Sequence, residues 1–298
     1  MSQGDTLEQA LELFQTVEMP ARNLAARTRT EYTTDLTNLL AFLTQRGVTR
    51  PAEVRFGHLV AYQAEMDRRG YQPTSRHRKT YAIKSFFTFL HRYDYLPRDI
   101  AERLIPPTPP HHEPRYLTEQ EYQKLLAVCC HHPRDTAILV LFLQTGMRLA
   151  ELAGLRLSDI ELPTTMSRNP DDTGLARIRR KGGKIDTVVL NYKACVALAA
   201  YLAVRLTVEH TGLFVSKVGT QMSKRAIQAM MSKYLAQAGI VGASVHKLRH
   251  TFATHHVARG TDLKTVQDML GHASLVATEI YISPAKQVQR QALQEHAL

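Results

Sequence analysis

The sequence predicts a mainly α fold in two parts: a bundle of about four helices over residues 1–105, and a larger, mostly helical domain over 117–298 with one small antiparallel β-hairpin. Three observations predict it. Apolar residues recur at three- and four-residue intervals through most of the chain, the mark of helices with one buried face. One segment, Ala176 to Leu190, instead alternates about a Gly-Gly pair. Between the two parts lies "IPPTPPHHEPR", Ile105 to Arg115, with five prolines in eleven residues. Proline fixes φ and lacks an amide donor, so residues 106–116 read as an extended linker rather than as helix or central strand.

In the first part, Tyr32, Leu36, Leu39, Leu40 and Leu43 mark one helix face, and Ile83, Phe86, Phe87 and Leu90 repeat the spacing on another. His58 to Arg69 fits a helix between them, stopped by Gly70. After the linker, Thr118 and Glu121 in "LTEQEYQKLL" form a capping box. "RDTAILVLFLQTG" reads as a buried helix ended by Gly146, and "TGMRLAELAGLRLSDI" opens another with Arg148 in its first turn. In "ARIRRKGGKIDTVVL" the pair Gly182-Gly183 accepts the positive φ of a tight turn, giving two antiparallel strands with Lys181 and Lys184 beside the tip. Helices then resume to the C-terminus.

The 298 residues are 44% hydrophobic, enough for cores of ordinary size, and no apolar run approaches the length of a membrane span, so no membrane partner is expected. Met1 to Pro20 is acidic and amphipathic and lacks the basic and apolar regions of a signal peptide. Cys129, Cys130 and Cys195 form an odd set without a CxxC pair. Together these features predict a reduced, cytoplasmic protein. The formal net charge of +11 is unevenly spread: residues 117–298 carry 22 Lys+Arg against 14 Asp+Glu, net +8, and residues 1–105 carry 15 against 12, net +3. A basic field suits a polyanion, with nucleic acid the first candidate.

The chemistry concentrates in a few stretches. "VHKLRHTFATHH", Val245 to His256, packs His246, Lys247, Arg249, His250, His255 and His256 into twelve residues. His246 and Arg249 are three apart and share a helix face; His250, four from His246, lies near it. Histidines at i and i+4 have zinc-ligand spacing, but Lys247 and Arg249 beside them repel a divalent cation and attract a phosphate. In "CCHH", Cys129 to His132, consecutive side chains cannot all face one ion, so no metal is expected there either. Arginine forks onto two phosphate oxygens and stays charged at any working pH, while histidine and lysine hydrogen-bond a phosphate or move protons. Glu151, three residues beyond Arg148, is placed to pair with it. The remaining part is a nucleophile. "LGHASLVATEIY" offers Tyr281, on a short helix beyond Leu270-Gly271-His272, and flanking cations favour its phenolate.

Together, "TGMRLAEL", "RKGGK", "HKLRH" and "LGHASLVATEIY" resemble, in order and spacing, the motifs of the tyrosine recombinases, or phage-type integrases, and most of all their compact Xer-like members. "TRTEYTTDLTNLLAFL" and "TSRHRKTYAIKSFFTFLHRYDYL" are similar to two helices of that family's core-binding domain, so the resemblance runs over roughly residues 25 to 283. It implies that residues 1–105 form a core-binding domain that holds DNA and that 117–298 form the catalytic domain with a C-terminal tail helix. It also implies roles. Arg148 and Arg249 match the two catalytic arginines, and Lys181 the lysine of the hairpin. His246 matches the histidine of the histidine–x–x–arginine motif, His272 the position that is histidine or tryptophan, and Tyr281 the nucleophile. Glu151 matches an acidic residue that orients the first arginine. Two features depart from the compact members: "ELPTTMSRNPDDTG", Glu161 to Gly174, is longer, and Arg179, Arg180 and Lys184 crowd Lys181.

The implied reaction uses no cofactor, neither metal nor ATP. Tyr281 attacks a DNA phosphate in line, forming a 3′-phosphotyrosyl link and releasing the 5′-oxygen, which Lys181 protonates to a 5′-hydroxyl. The 5′-hydroxyl of a partner strand then attacks the link, and two rounds pass through a Holliday junction in integration, excision or resolution. The implied partners are double-stranded DNA with short inverted-repeat half-sites, further copies of the chain forming a dimer and tetramer on DNA, and accessory DNA-bending proteins. Arg76, Arg78, Lys79 and Lys84 in the first domain, and Lys224 and Arg225 in the second, are candidate DNA contacts. After Pro284 the tail shows a stripe of Val288, Ala292 and Leu293, which suits docking on a neighbouring subunit or on its own domain. Two other readings compete: a monomeric type IB-like nicking–joining topoisomerase, and a catalytically idle DNA-binding regulator.

Overall fold

A computed structural model describes residues 6–109, 115–180, 183–271 and 275–295, which fold as two compact units, residues 1–112 and 113–298. The first is helical. α1 (Leu7–Leu13) starts at Thr6, whose hydroxyl accepts from the Gln9 amide, and runs through a π-helical turn (Phe14–Glu18) into α2 (Met19–Ala21). α3 (Ala26–Thr44), α4 (Phe56–Arg68) and α5 (Pro73–Arg92) complete the bundle. The helical stripes read from the sequence face inward: Leu36, Leu39, Leu40 and Leu43 of α3 and Ile83, Phe86, Phe87 and Leu90 of α5 are buried. They close around Phe14, whose ring lies 5.4 Å from that of Phe86 and 5.2 Å from that of Phe89.

A buried ionic cluster joins α3 to α5. The Asp35 carboxylate accepts from Lys79 Nζ at 2.6 Å and from both terminal nitrogens of Arg78. Lys79, expected on the surface as a DNA contact, is therefore turned inward and only 6% exposed. The reason is physical: a buried carboxylate needs a counter-charge, and Lys79 stands four residues before Ile83 on the apolar stripe. Arg76 pairs with Asp67 at 2.6 Å, and Lys84 donates to the carbonyls of Glu102 and Leu104. All four first-domain candidates thus have partners inside their own unit.

In the second unit α6 (Glu119–Cys129) begins at the expected Thr118–Glu121 capping box, α7 (Pro133–Thr145) ends at Gly146, and α8 (Leu149–Ala153) follows. Three antiparallel strands come next, β1 (Ile160–Glu161), β2 (Gly174–Arg179) and β3 (Ile185–Leu190), in the order β1-β2-β3. The hairpin strands pair as expected, with Ala176 opposite Val188 and Arg179 opposite Ile185; the tip at Lys181 and Gly182 lies outside the described residues. β1 adds a third strand, pairing Ile160 with Ala176. Its two residues are too few to show an alternating pattern in the sequence.

α9 (Tyr192–Val204), α10 (Lys224–Gln237), α11 (Val245–Ala258), α12 (Leu263–Leu270), α13 (Val276–Glu279) and α14 (Ile282–Glu295) complete the unit. Its core joins Ile138, Leu141 and Phe142 of α7, Leu198 of α9 and the inward residues Ala176 and Ile178 of β2. The tail helix α14 lies against α11 of its own unit, with Pro284 and Ala285 buried and Gln289 donating to the Ala258 carbonyl at 3.0 Å. The side chains of Ala292 and Leu293 lie outside the described ones. No helix among the described residues is long and apolar enough to cross a membrane.

Candidate active site

The site is organised by the C-terminal end of α12. This helix starts at Asp262, whose carboxylate caps the Thr265 amide, and stops at Gly271 in the left-handed conformation, φ +61°. The last carbonyls of a helix have no partner within it and carry partial negative charge, so they attract cations. Here they receive guanidinium groups. Arg249 Nη2 donates to the Leu270 carbonyl at 2.7 Å, and Arg148 Nη2 to that of Gly271 at 3.3 Å.

Arg249 reaches this point from α11. Its Nη1 donates at 2.7 Å to the carbonyl of Gly146, the glycine that ends α7. Gly146 also has φ +61°, and a Cβ there would lie 2.5 Å from Cδ1 of Phe252, so the chain crosses α11 where only glycine fits. Arg249 is 7% exposed. Burial, and then the neighbouring charge of Arg148, lower its pKa to about 10, so it stays protonated at neutral pH. Arg148 lies just before α8. The Glu151 carboxylate accepts from both its backbone amide and its Nη1, each at 2.8 Å. This pair was expected, and burial of Glu151 distinguishes it from an exposed surface pair. The Arg148 side chain keeps 35% of its surface open to solvent, a face on which an anion can land.

Tyr281 sits between α13 and α14, 1% exposed, clustered with Phe252, Ala253, Val266 and Leu270. Its hydroxyl lies 3.1 Å from His250 Nδ1. The cations expected to favour phenolate do act on it: Arg249 and Arg148 both pull its pKa down. Burial outweighs them and the phenol is raised overall, which corrects that expectation. His250 is likewise shifted, down to about 4, by burial and then by Lys247, His246 and Arg249, so it is neutral at pH 7. The sequence had presented His250 only as a rival metal ligand; its place one residue beyond Arg249 was the available signal.

Arg148, Glu151, Arg249 and Tyr281 are thus brought together. His246 is exposed in the first turn of α11, and Lys181 and His272 lie outside the described residues. Lys224 and Arg225 are exposed in the first turn of α10. A third guanidinium, that of Arg180, joins the α12 carbonyls, with Nη1 2.7 Å from the Leu270 oxygen. The sequence had marked Arg180 only as crowding Lys181. Among the described residues no cluster of three or more His, Cys, Asp or Glu side chains could hold a metal ion. Two forked cations beside a phenol form a set suited to binding a phosphodiester and attacking it.

Comparison with known proteins agrees with this chemistry. A model of the Phage integrase family matches residues 115–288, and one of the Phage integrase N-terminal SAM-like domain matches residues 11–93. The chain is 31% identical over 265 residues to the tyrosine recombinase XerC of Roseiflexus sp. (strain RS-1), covering 87% of this chain and 84% of that one. It is 30% identical to XerC of Xanthomonas campestris pv. campestris (strain B100), with coverage of 93% and 85%. Among solved structures, XerA recombinase superimposes with a TM-score of 0.53 at 27% identity, covering 98% of this chain and 99% of that one. A λ integrase tetramer bound to a Holliday junction shares the fold, with a TM-score of 0.76 at 14% identity and coverage of 94% and 78%. A family match across the domain that carries the cations and the phenol, with whole-length relatives at about this identity, places the chain in the phage integrase family: it is a Xer-like tyrosine recombinase, an enzyme of site-specific DNA cleavage and rejoining.

Proposed function

We propose that Tyr281 is the nucleophile, that Arg148 and Arg249 hold the non-bridging oxygens of the scissile phosphate, and that Glu151 fixes Arg148 for that task. Lys181 protonates the leaving 5′-oxygen, His246 assists proton transfer and His272 hydrogen-bonds the phosphate. The observation that supports this most is the meeting of Arg148, Arg249 and Tyr281 at one helix end. Two guanidiniums stabilise charge that grows on the phosphoryl oxygens, and transesterification keeps the bond energy in the phosphotyrosyl link. In-line attack needs the phenol at the phosphorus, so Tyr281 must leave its packing against Phe252 and its bond to His250 when DNA binds.

The substrate in this reading is duplex DNA with inverted-repeat half-sites, bound by two and then four copies of the chain in the cytoplasm, with DNA-bending accessory proteins where the site requires them. XerH has been crystallised on a palindromic difH substrate and λ integrase as a tetramer on a Holliday junction, which supports this assembly by analogy. The relatives are recombinases, so the topoisomerase and idle-regulator readings are not favoured.

A random-sequence duplex pool, captured covalently by the wild-type chain and carried through denaturing electrophoresis, tests the reading. The wild type should yield protein-linked DNA with a free 5′-hydroxyl. Tyr281→Phe should yield none while still shifting the selected duplex in a native gel. Covalent product from the Phe variant ends the assignment.

A further inference from the structure

Arg180 stands where β2 ends. Its amide donates to the Lys184 carbonyl at 2.8 Å and its own carbonyl accepts from Gly183 at 3.1 Å, so it closes the base of the hairpin just before Lys181 in the chain. Its side chain is 9% exposed and spans the gap to the active site. Nε donates to Asp186 Oδ2 of β3 at 2.7 Å, Nη1 to the Leu270 carbonyl at 2.7 Å, and Nη2 to that of Met269 at 3.2 Å. Nη1 also lies 3.7 Å from Glu151 Oε1. Gly271 lets the guanidinium lie flat on the helix end; a Cβ there would collide with it.

Two of these acceptors are shared. The Leu270 oxygen also takes the bond from Arg249, and the Glu151 carboxylate also takes those from Arg148. One guanidinium therefore ties the hairpin to both phosphate-binding arginines. The planar fork of arginine can bond a carboxylate and two carbonyls at once, which the single ammonium of lysine cannot reproduce. The bond is felt on the hairpin side too: Arg180 holds the Asp186 carboxyl below the usual carboxylate range.

We propose that Arg180 is a positioning residue for the cleavage step: it fixes the base of the β2–β3 hairpin, and so the point from which Lys181 acts, to the Leu270 carbonyl that seats Arg249 and to the Glu151 carboxylate that holds Arg148. The inference rests on the reading above that Lys181 protonates the leaving oxygen. Arg180 does not itself bind the phosphate. Its side chain is buried and each of its three nitrogens is bonded within the protein, whereas Arg148 keeps an open face. A misplaced proton donor of this kind costs rate only where the leaving group needs a proton.

The experiment uses the full chain and the duplex selected by covalent capture, synthesised with either an oxygen or a sulfur bridging to the 5′-carbon at the scissile phosphate. Sulfur leaves without protonation. Single-turnover cleavage of the oxygen duplex by Arg180→Ala should fall by about a hundredfold, the scale on which a small misplacement of a catalytic group acts. On the sulfur duplex it should return to near the wild-type rate, while Arg148→Ala stays slow on both. Asp186→Asn, which loosens the same tie from the half-exposed hairpin side, should show the same sulfur-rescued pattern with a smaller loss, and it carries the test if Arg180→Ala does not fold. Wild-type rates on the oxygen duplex, or an equal loss on both duplexes, would overturn the proposal. Failure of the wild-type chain to capture any duplex would instead sink the functional reading beneath it.

Discussion

At the scale of single residues, burial shifts three groups of the site, lowering Arg249 and His250 and raising Tyr281. His250 is held at about pKa 4, below the ordinary value near 6.5. Between those values the unfolded chain takes up a proton that the folded chain does not. The stability His250 contributes is therefore complete above pH 6.5 and is lost as the pH falls from there toward 4. Urea unfolding at pH 7 and at pH 4.5 should show wild type losing more stability than His250→Gln, by at most about 1.4 kcal/mol for each pH unit in that window. His256, also lowered by burial, titrates in both proteins and cancels. Parallel losses in the two would mean that His250 titrates freely in the folded chain. Of the site residues named from motifs, Arg148, Glu151, Arg249 and Tyr281 meet in space. Arg180 was not read as part of the site, although strand parity offered a signal. Ala176 and Ile178 face inward on β2, and position 180 continues that side. Its charge argued against the pattern, and only the carbonyls of a helix ninety residues away explain why it obeys it.

At the scale of elements, the same lesson holds for α3 and α5. Asp35 stands four residues before Leu39, and Lys79 four before Ile83, so both fall on buried stripes that hydrophobicity alone does not assign to them. Their pairing is a contact between distant parts of the chain, which periodicity within one helix cannot reveal. It makes an unequal prediction. Asp35→Ala leaves Lys79 buried without its carboxylate and should cost roughly 3–5 kcal/mol. Lys79→Met leaves Asp35 still paired with Arg78 and should cost clearly less. Denaturant midpoints of the two full-length variants decide it; equal losses would mean that Arg78 does not compensate. The hairpin, the capping box and the glycine stop of α7 needed no such partner, because each is specified within a few residues. The third strand depends on tertiary neighbours and did not emerge from the sequence, which left the docking of the tail open between its own domain and a neighbouring subunit.

At the scale of the whole molecule, the excess of cations carried by both units is the broadest feature of the sequence, and the structure divides it by use. Lys224 and Arg225 are open to solvent, while Arg78, Lys79 and Lys84 hold their own unit together. If each exposed residue meets one phosphate, Lys224→Ala and Arg225→Ala should each flatten the plot of log affinity against log salt by about 0.9. Lys79→Met should leave that slope unchanged. Fluorescence anisotropy on the captured duplex at several salt concentrations measures both, and an unaltered slope in the α10 variants would remove them from the interface. The helix end of α12 has a different kind of consequence. Among the described residues three guanidiniums crowd it against two carboxylates, Glu151 and Asp186, which leaves an excess of positive charge there. In the language of folding landscapes this is local frustration: each bond there is good, yet the set would be more content with an anion among them. Such a region should be among the first to open in native-state hydrogen exchange, and a bound phosphate should close it. If exchange behaves in that way, a bound phosphate acts as the last piece of this part of the fold.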